Sequence, residues 1–226
     1  MKIHEASIMN NAIAQTRGPR LDYRTEEART YTAWMDDHVK PYLSPGCSLL
    51  DVGCGAGKQT FKAESLGAQA TGIDCSEEMI RFATEVASES RSITRFVLAD
   101  YTAIPFGDHS FDLTLFPKNT IECSYVEAAR LAIELKRILK PGGLLLLTLR
   151  DALLHSLKFP QSDSSLYDVK TGREESSIAI PGRGEFDYPT YFWTVAFAGF
   201  VFGQQLHFKE SCEISLHTYQ LVFESP

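Results

Sequence analysis

Three carboxylates, Asp51, Asp74 and Asp100, stand in the first half of a 226-residue chain, each at or next to the end of a short apolar run. Acids so placed can accept hydrogen bonds from the hydroxyls and amino groups of a ligand. Asp51 is followed by Val52-Gly-Cys-Gly-Ala-Gly57, with glycine on every second position. A residue without Cβ takes positive φ readily and lets a ligand approach the backbone. An acid, then a glycine turn, then helix formers from Lys58 to Leu66 make the opening of a nucleotide-type site in an open α/β sheet. Asp74 lies 21 residues beyond Gly53, the distance at which an acid commonly accepts from a ribose diol. It can equally be a polar strand end beside a capped helix.

Spacing separates three motifs that end a strand in glycines. A dinucleotide fingerprint beginning at Gly53 needs glycine at position 58, which is Lys58. A phosphate-cradling loop needs glycine at Val52 and Ser or Thr at Gln59, and has neither. The remaining string is Asp51-Val-Gly-Cys-Gly-Ala-Gly57.

The elements that must position these groups follow from apolar periodicity and punctuation. Ser48 to Val52 reads as a buried strand, and Gly67 stops the helix after the turn. Ala70 to Ile73 forms the second strand, and Ser76 caps a helix with Glu77 and Glu78 in its first turn, reaching about Ser88. Thr94 to Ala99 and Phe111 to Phe116 are strands three and four, and Asp112 is read as structural. Ala128, Leu131, Ala132, Leu135, Ile138 and Leu139 form one helical stripe, which is core. Lys140-Pro-Gly-Gly143 ends that helix before a strand from Leu144 to Leu149, apolar on both faces. Pro189 is read as opening a helix from Thr190 to Phe197. Val201–Phe208 and Ser215–Phe223 read as a closing antiparallel pair.

Composition excludes several classes. The net charge of −7 opposes broad contact with nucleic-acid phosphates. Five cysteines, an odd number with no Cys-x-x-Cys pair, suggest neither a disulfide framework nor a zinc site. His207 and His217 join no metal constellation, so no metal is expected. No secretory signal is visible, and the most apolar windows fall short of the ~20 residues of a membrane span. The expectation is a cytoplasmic protein with reduced thiols and no membrane insertion.

With Asp74-Cys-Ser-Glu-Glu-Met79, Asp100-Tyr101 before Ile104-Pro-Phe106, Ser110-Phe-Asp112, and Glu134-Leu-Lys-Arg-Ile-Leu-Lys-Pro-Gly-Gly-Leu145, the glycine turn resembles the class I S-adenosylmethionine-dependent methyltransferases. The resemblance covers roughly residues 48 to 150. It implies a Rossmann-like three-layer α/β sandwich with a seven-stranded, mostly parallel sheet whose last strand is antiparallel. It also implies S-adenosyl-L-methionine as cofactor across the carboxyl ends of the first four strands. On this reading Asp51 holds the amino group of the methionine part, and Gly53, Cys54, Gly55 and Gly57 admit the methionyl and sugar portions. Asp74 holds the ribose hydroxyls, Cys75 and Met79 offer apolar contact to adenine, and Asp100 accepts from the adenine amino group beside Tyr101. Phe116, at the end of strand four, completes the implied donor site. Within the family the chain is most similar to the small-molecule branch that includes quinone C-methyltransferases and small-amine N-methyltransferases. The alternatives are an NAD-dependent oxidoreductase and a non-catalytic protein that binds the donor.

The acceptor side is less legible. The family's Asn/Asp-Pro-Pro-aromatic signature for amino groups of DNA or protein is absent, since Phe116-Pro-Lys-Asn119 stands there. Asn119 can meet a small-molecule acceptor or cap the following helix. Residues 1–45 form a helical cap in which Tyr23, Arg24 and Tyr31 could close over a ligand, while Trp34 and Met35 are packing. Residues 46–150 are the donor-binding core, 151–187 an insertion or lid, and 188–226 a closing helix and strand pair. His155, Tyr167 and Arg173 are candidates in the insertion, each with a surface role as the alternative. No general base is assigned. Asn119, His155 and Tyr23 are the catalytic candidates.

Overall fold

Apolar residues on both sides of a parallel strand require a covering layer on each face of the sheet. Along the first strand, β1 (Ser48–Val52), Leu50 and Val52 join one buried cluster while Leu49 joins the other. Successive side chains of a strand point to opposite faces, so β1 contributes to two cores at once. The computed structural model describes residues 32–117, 120, 128–151, 167–168, 173–180, 184–191, 193–215 and 218–226, with positions 167–191 described by backbone alone.

After β1 come helix α1 (Lys58–Ser65), strand β2 (Gln69–Asp74), helix α2 (Glu77–Ser90), strand β3 (Arg95–Leu98) and strand β4 (Phe111–Phe116). Ser76 caps α2 by accepting from the Met79 N–H at 3.3 Å, and Arg91 ends it in the left-handed region. Helix α3 (Ala128–Ile138) buries the expected stripe and leads straight into strand β5 (Leu139–Arg150). Strands β6 (Tyr167–Asp168), β7 (Arg173–Ile180) and β8 (Gly184–Tyr191) form a separate three-stranded antiparallel sheet. Helix α4 (Val195–Gly203) and strands β9 (His207–Ser215) and β10 (Thr218–Glu224) complete the described elements.

The main sheet has seven strands in the order β3-β2-β1-β4-β5-β10-β9, and β10 runs antiparallel to both neighbours. One face is covered by α3 and α4, with Leu131, Leu135, Ala198 and Phe202 packed on Leu145, Leu147 and Phe223. The other carries Trp34, Met35 and Val39, from the helical run over residues 32–42, with Ala63 of α1. That run is irregular: Met35–Val39 is a π turn and Lys40–Tyr42 a 3₁₀ turn holding Pro41. A proline cannot donate into an α-helical ladder, so the segment tightens where Pro41 enters. Trp34 anchors it by donating to Gln220 at 2.8 Å.

Two elements differ from the sequence reading: β5 begins at Leu139, so that Leu139 and Lys140-Pro-Gly-Gly143 lie in the strand rather than in the helix and its stop, and the helix near Pro189 is displaced. Pro189 does not open a helix: it lies in β8 opposite Glu175, and the helix begins at Val195 behind a Thr194 cap. β8 is an edge strand of its sheet, the place in a sheet where proline is accommodated. Val201 to Gly203 consequently belong to α4, and the closing pair starts at His207. The polar insertion carries strands rather than plain connection, and its sheet runs past position 187 to Tyr191. Its two ends meet, since Asp151 bridges to Trp193 and accepts from the Val195 N–H at 2.8 Å.

Candidate functional site

The strand order reverses direction between β1 and β4, and in open α/β sheets ligands bind outside the carboxyl ends of the strands at such a point. The glycine turn stands there. Gly53 and Cys54 both donate to Ile73 O, at 2.8 and 2.9 Å, which ties the turn to β2. Gly53 has φ +76° and Gly57 +85°, in the left-handed region that glycine enters at little cost. A Cβ at Gly57 would meet the rings of Phe96 and Phe61 at 2.6–3.0 Å, so this glycine serves packing beneath the turn as well. Gly57 opens α1 with no side-chain cap, leaving the helix's first N–H groups without one.

Two carboxylates stand in this crevice under unusual conditions. Asp51 is fully buried; its Oδ2 accepts from Thr60 Oγ1 at 2.7 Å and its Oδ1 has no partner. Burial pushes its pKa up to about 7, the Thr60 hydrogen bond opposing and the neighbouring Asp74 adding to the rise. Asp74 is 7% exposed and accepts from the Gly55 N–H at 2.9 Å and the Ser76 N–H at 2.8 Å. It therefore clamps the middle of the glycine turn to the start of α2. Burial raises its pKa too, against those backbone donors. Among the described residues no Lys or Arg pairs with either acid.

The other sequence-derived residues fall around this pair. Cys54 is buried, and desolvation, then Asp74 and Asp51, hold its thiol well above the usual range, in the neutral form. Cys75 and Met79 are partly buried around the entry to α2. Asp100 follows β3, and its Oδ1 accepts from the N–H and hydroxyl of Thr102 at 2.6 and 2.7 Å. Tyr101 packs edge-on to Phe116 at 6.4 Å between ring centroids, while Phe116 itself is wholly buried in the core. Asn119, His155, Tyr23, Arg24, Tyr31 and His217 lie outside the described residues, and Tyr167 and Arg173 are placed by backbone only.

Three contributors carry no motif that marks them. Thr60 is the hydrogen-bond partner of Asp51, nine residues on and one turn into α1. Arg137 donates to Ile104 O, Phe106 O and Asp108, and twice to Glu134, while Glu134 accepts from the Ile104 N–H. This fork ties the loop after Asp100 and Tyr101 to α3; the two residues fall inside the Glu134–Leu145 string but have no role there visible from sequence. Thr120 lies against Gly53.

A family model described as "Methyltransferase domain" matches residues 50–147, which runs from within β1 to within β5 and contains Asp51, the glycine turn, Asp74, Asp100 and Phe116. Over residues 50–147 the chain is similar to that methyltransferase domain. Phosphoethanolamine N-methyltransferase 3 of Arabidopsis thaliana is 34% identical over 142 residues, 62% of this chain and 28% of that protein. The 2-methyl-6-phytyl-1,4-hydroquinone methyltransferase of Synechocystis is 36% identical over 106 residues, 46% of this chain and 32% of that protein. The chain thus matches about a third or less of these relatives' length. The crystal structure of the PH0226 protein from Pyrococcus horikoshii superposes with a TM-score of 0.78 at 23% identity, covering 91% of this chain and 94% of that one. At that identity the superposition establishes the seven-stranded fold. The site suits S-adenosylmethionine: a cationic amino group is what a buried, unpartnered carboxylate oxygen lacks, and at Gly55 a Cβ would meet nothing within 4 Å, so the backbone there is open. No helix among the described residues is long and apolar enough to cross a membrane.

Proposed function

We propose that the protein transfers a methyl group from S-adenosylmethionine to a small-molecule acceptor. The observation that carries this reading is Asp51 Oδ1, a wholly buried carboxylate oxygen without a partner at the tip of β1. An unsatisfied buried acceptor is costly and calls for a donor absent from the protein itself. The donor supplies a sulfonium-bound methyl group already activated for in-line attack, so the protein's task is alignment and exclusion of water. Asp51 holds the methionine amino group. Asp74, with lone pairs left beyond the backbone bonds it accepts, takes the ribose diol, and Asp100 and the Tyr101 backbone read the adenine edge. Cys75 and Met79 flank the ring. The relatives' names include an amine and a hydroquinone as acceptors, and this chain's acceptor belongs to that range of small molecules. The net charge of −7 favours neither nucleic acid nor another anionic polymer as partner. The site of action is the cytoplasm, in keeping with thiols at Cys47, Cys54 and Cys212 that form no disulfide among the described residues.

Calorimetry tests the reading. S-adenosylhomocysteine is expected to bind with a micromolar Kd and NAD to give no heat. Binding of NAD instead returns the oxidoreductase reading. Turnover of radiolabelled donor against a panel of primary amines and hydroquinones then separates an enzyme from a donor-binding module.

A further inference from the structure

Thr120 follows β4 by four residues, and its N–H donates to Pro117 O at 2.9 Å. The side chain is partly buried, and its hydroxyl has no hydrogen-bond partner among the described residues. At Gly53 the direction a Cβ would take runs into this side chain: Oγ1 is nearest, with Cγ2 at 2.6 Å and the threonine Cβ at 2.9 Å. Thr120 is therefore seated on the bare Cα of Gly53. Any side chain at position 53 would evict it, quite apart from the +76° φ.

The contact spans the two strands between which the sheet order reverses, β1 and β4, and so crosses the crevice where this architecture takes its ligand. Its position along the turn is specific. Gly53 is two residues beyond Asp51, the buried acid with an unpartnered oxygen, whereas Asp74 grips the turn at Gly55. Thr120 thus lies against the turn at Gly53, the glycine next but one to Asp51, and not at Gly55, which Asp74 holds.

We propose that Thr120 positions the amino-acid end of the methyl donor, its hydroxyl donating to the donor's carboxylate while Asp51 takes the ammonium group. This assignment rests on the methyltransferase reading above. A hydroxyl can donate to a carboxylate, and an ionised carboxylate accepts from an ammonium group, so the two side chains match the two ends of a zwitterionic α-amino acid. Thr120 is a positioning residue on the β4 side that pairs with the glycine turn on the β1 side.

Two probes and two variants separate this from simple packing. S-adenosylhomocysteine carries the amino-acid tail, and methylthioadenosine has the same adenosine and thioether without it. Thr120→Val keeps the shape and removes the hydroxyl; Thr120→Ser keeps the hydroxyl. Calorimetry is run on the wild type first, with thermal melts of each ligand-free variant to confirm folding. Thr120→Val is expected to raise the Kd of S-adenosylhomocysteine five- to tenfold and to leave methylthioadenosine within twofold, while Thr120→Ser matches the wild type on both. A valine variant that binds both probes as the wild type does, or that loses both alike, overturns the assignment. A wild type that binds neither probe overturns the donor reading itself, and this assignment with it.

Discussion

The two ends of the main sheet treat their acids in opposite ways. At the amino ends of the strands, Asp112 at the start of β4 accepts from the N–H and hydroxyl of Ser48 at 2.8 and 2.6 Å and from Lys140 Nζ at 2.8 and 2.9 Å. Burial would raise its pKa, but Lys140 and Ser48 outweigh that and hold it below the usual carboxylate range. At the carboxyl ends, Asp51 is held by the neutral Thr60 and has an orphan oxygen and a pKa raised to about 7. The amino end is satisfied within the chain and holds three strand starts in register. The carboxyl end is under-satisfied, which is the condition of a surface waiting for a ligand.

The sharpest way to break this contrast is Asp51→Asn. Losing one charged hydrogen bond is worth about 1.5–3 kcal/mol, so the affinity for S-adenosylhomocysteine is expected to fall roughly 10- to 150-fold. Ligand-free stability at pH 8 should rise, because the variant no longer buries an ionised group. A variant that binds as tightly as the wild type, read by calorimetry beside a thermal melt, would refute the role given to Asp51.

Protonation offers a milder perturbation of the same group. The folded pKa of Asp51 lies above its unfolded value, so the folded state holds the proton more tightly between about pH 4 and 7. The ligand-free protein therefore loses this increment of stability as pH rises through about 7. Binding of a cationic amino group favours the ionised form, so donor affinity should move the other way. It is expected to weaken by up to about tenfold per unit as pH falls below 7 and to level off above it. Affinity that stays flat from pH 5.5 to 8.5 would mean that no cation meets Asp51.

The smallest effect is expected at the opposite end. Asp112→Ala should cost about 1 kcal/mol, since Asp112 and Lys140 are roughly two-fifths exposed and solvent screens them. The contribution of Asp112 is present above its unfolded pKa and disappears as pH falls through its lowered folded value. Donor affinity should not change. Chemical denaturation with and without S-adenosylhomocysteine measures both, and a large loss of affinity would erase the distinction between the two ends.

Local signals made much of this legible. Glycines on alternate positions after an apolar run announced the turn, and Asp74 at its distance announced the second acid, because both depend on spacing within one βαβ unit. The stripe of α3 was readable because helical periodicity alone decides which face is buried. Pro189 misled, since nothing local says that Gly184–Tyr191 pairs with Arg173–Ile180 and lies at an edge. Thr60, Arg137 and Thr120 were invisible for the same kind of reason. A threonine in a helix, an arginine in an amphipathic stripe and a threonine after a strand gain their roles from groups far along the chain.

What the amino-acid order determined unaided is which backbone stretches can bend without side chains and which acids end up at strand tips, for these follow from bonded neighbours and periodicity. Only the assembled sheet decided which of those acids would be neutralised. Ser48, Asp112 and Lys140 meet across as many as 92 residues of chain, while Asp51 and Asp74 are brought together where no described cation reaches them. Desolvation and pairing are properties of the packed neighbourhood, and that neighbourhood exists only once β1, β2, β4 and β5 lie side by side.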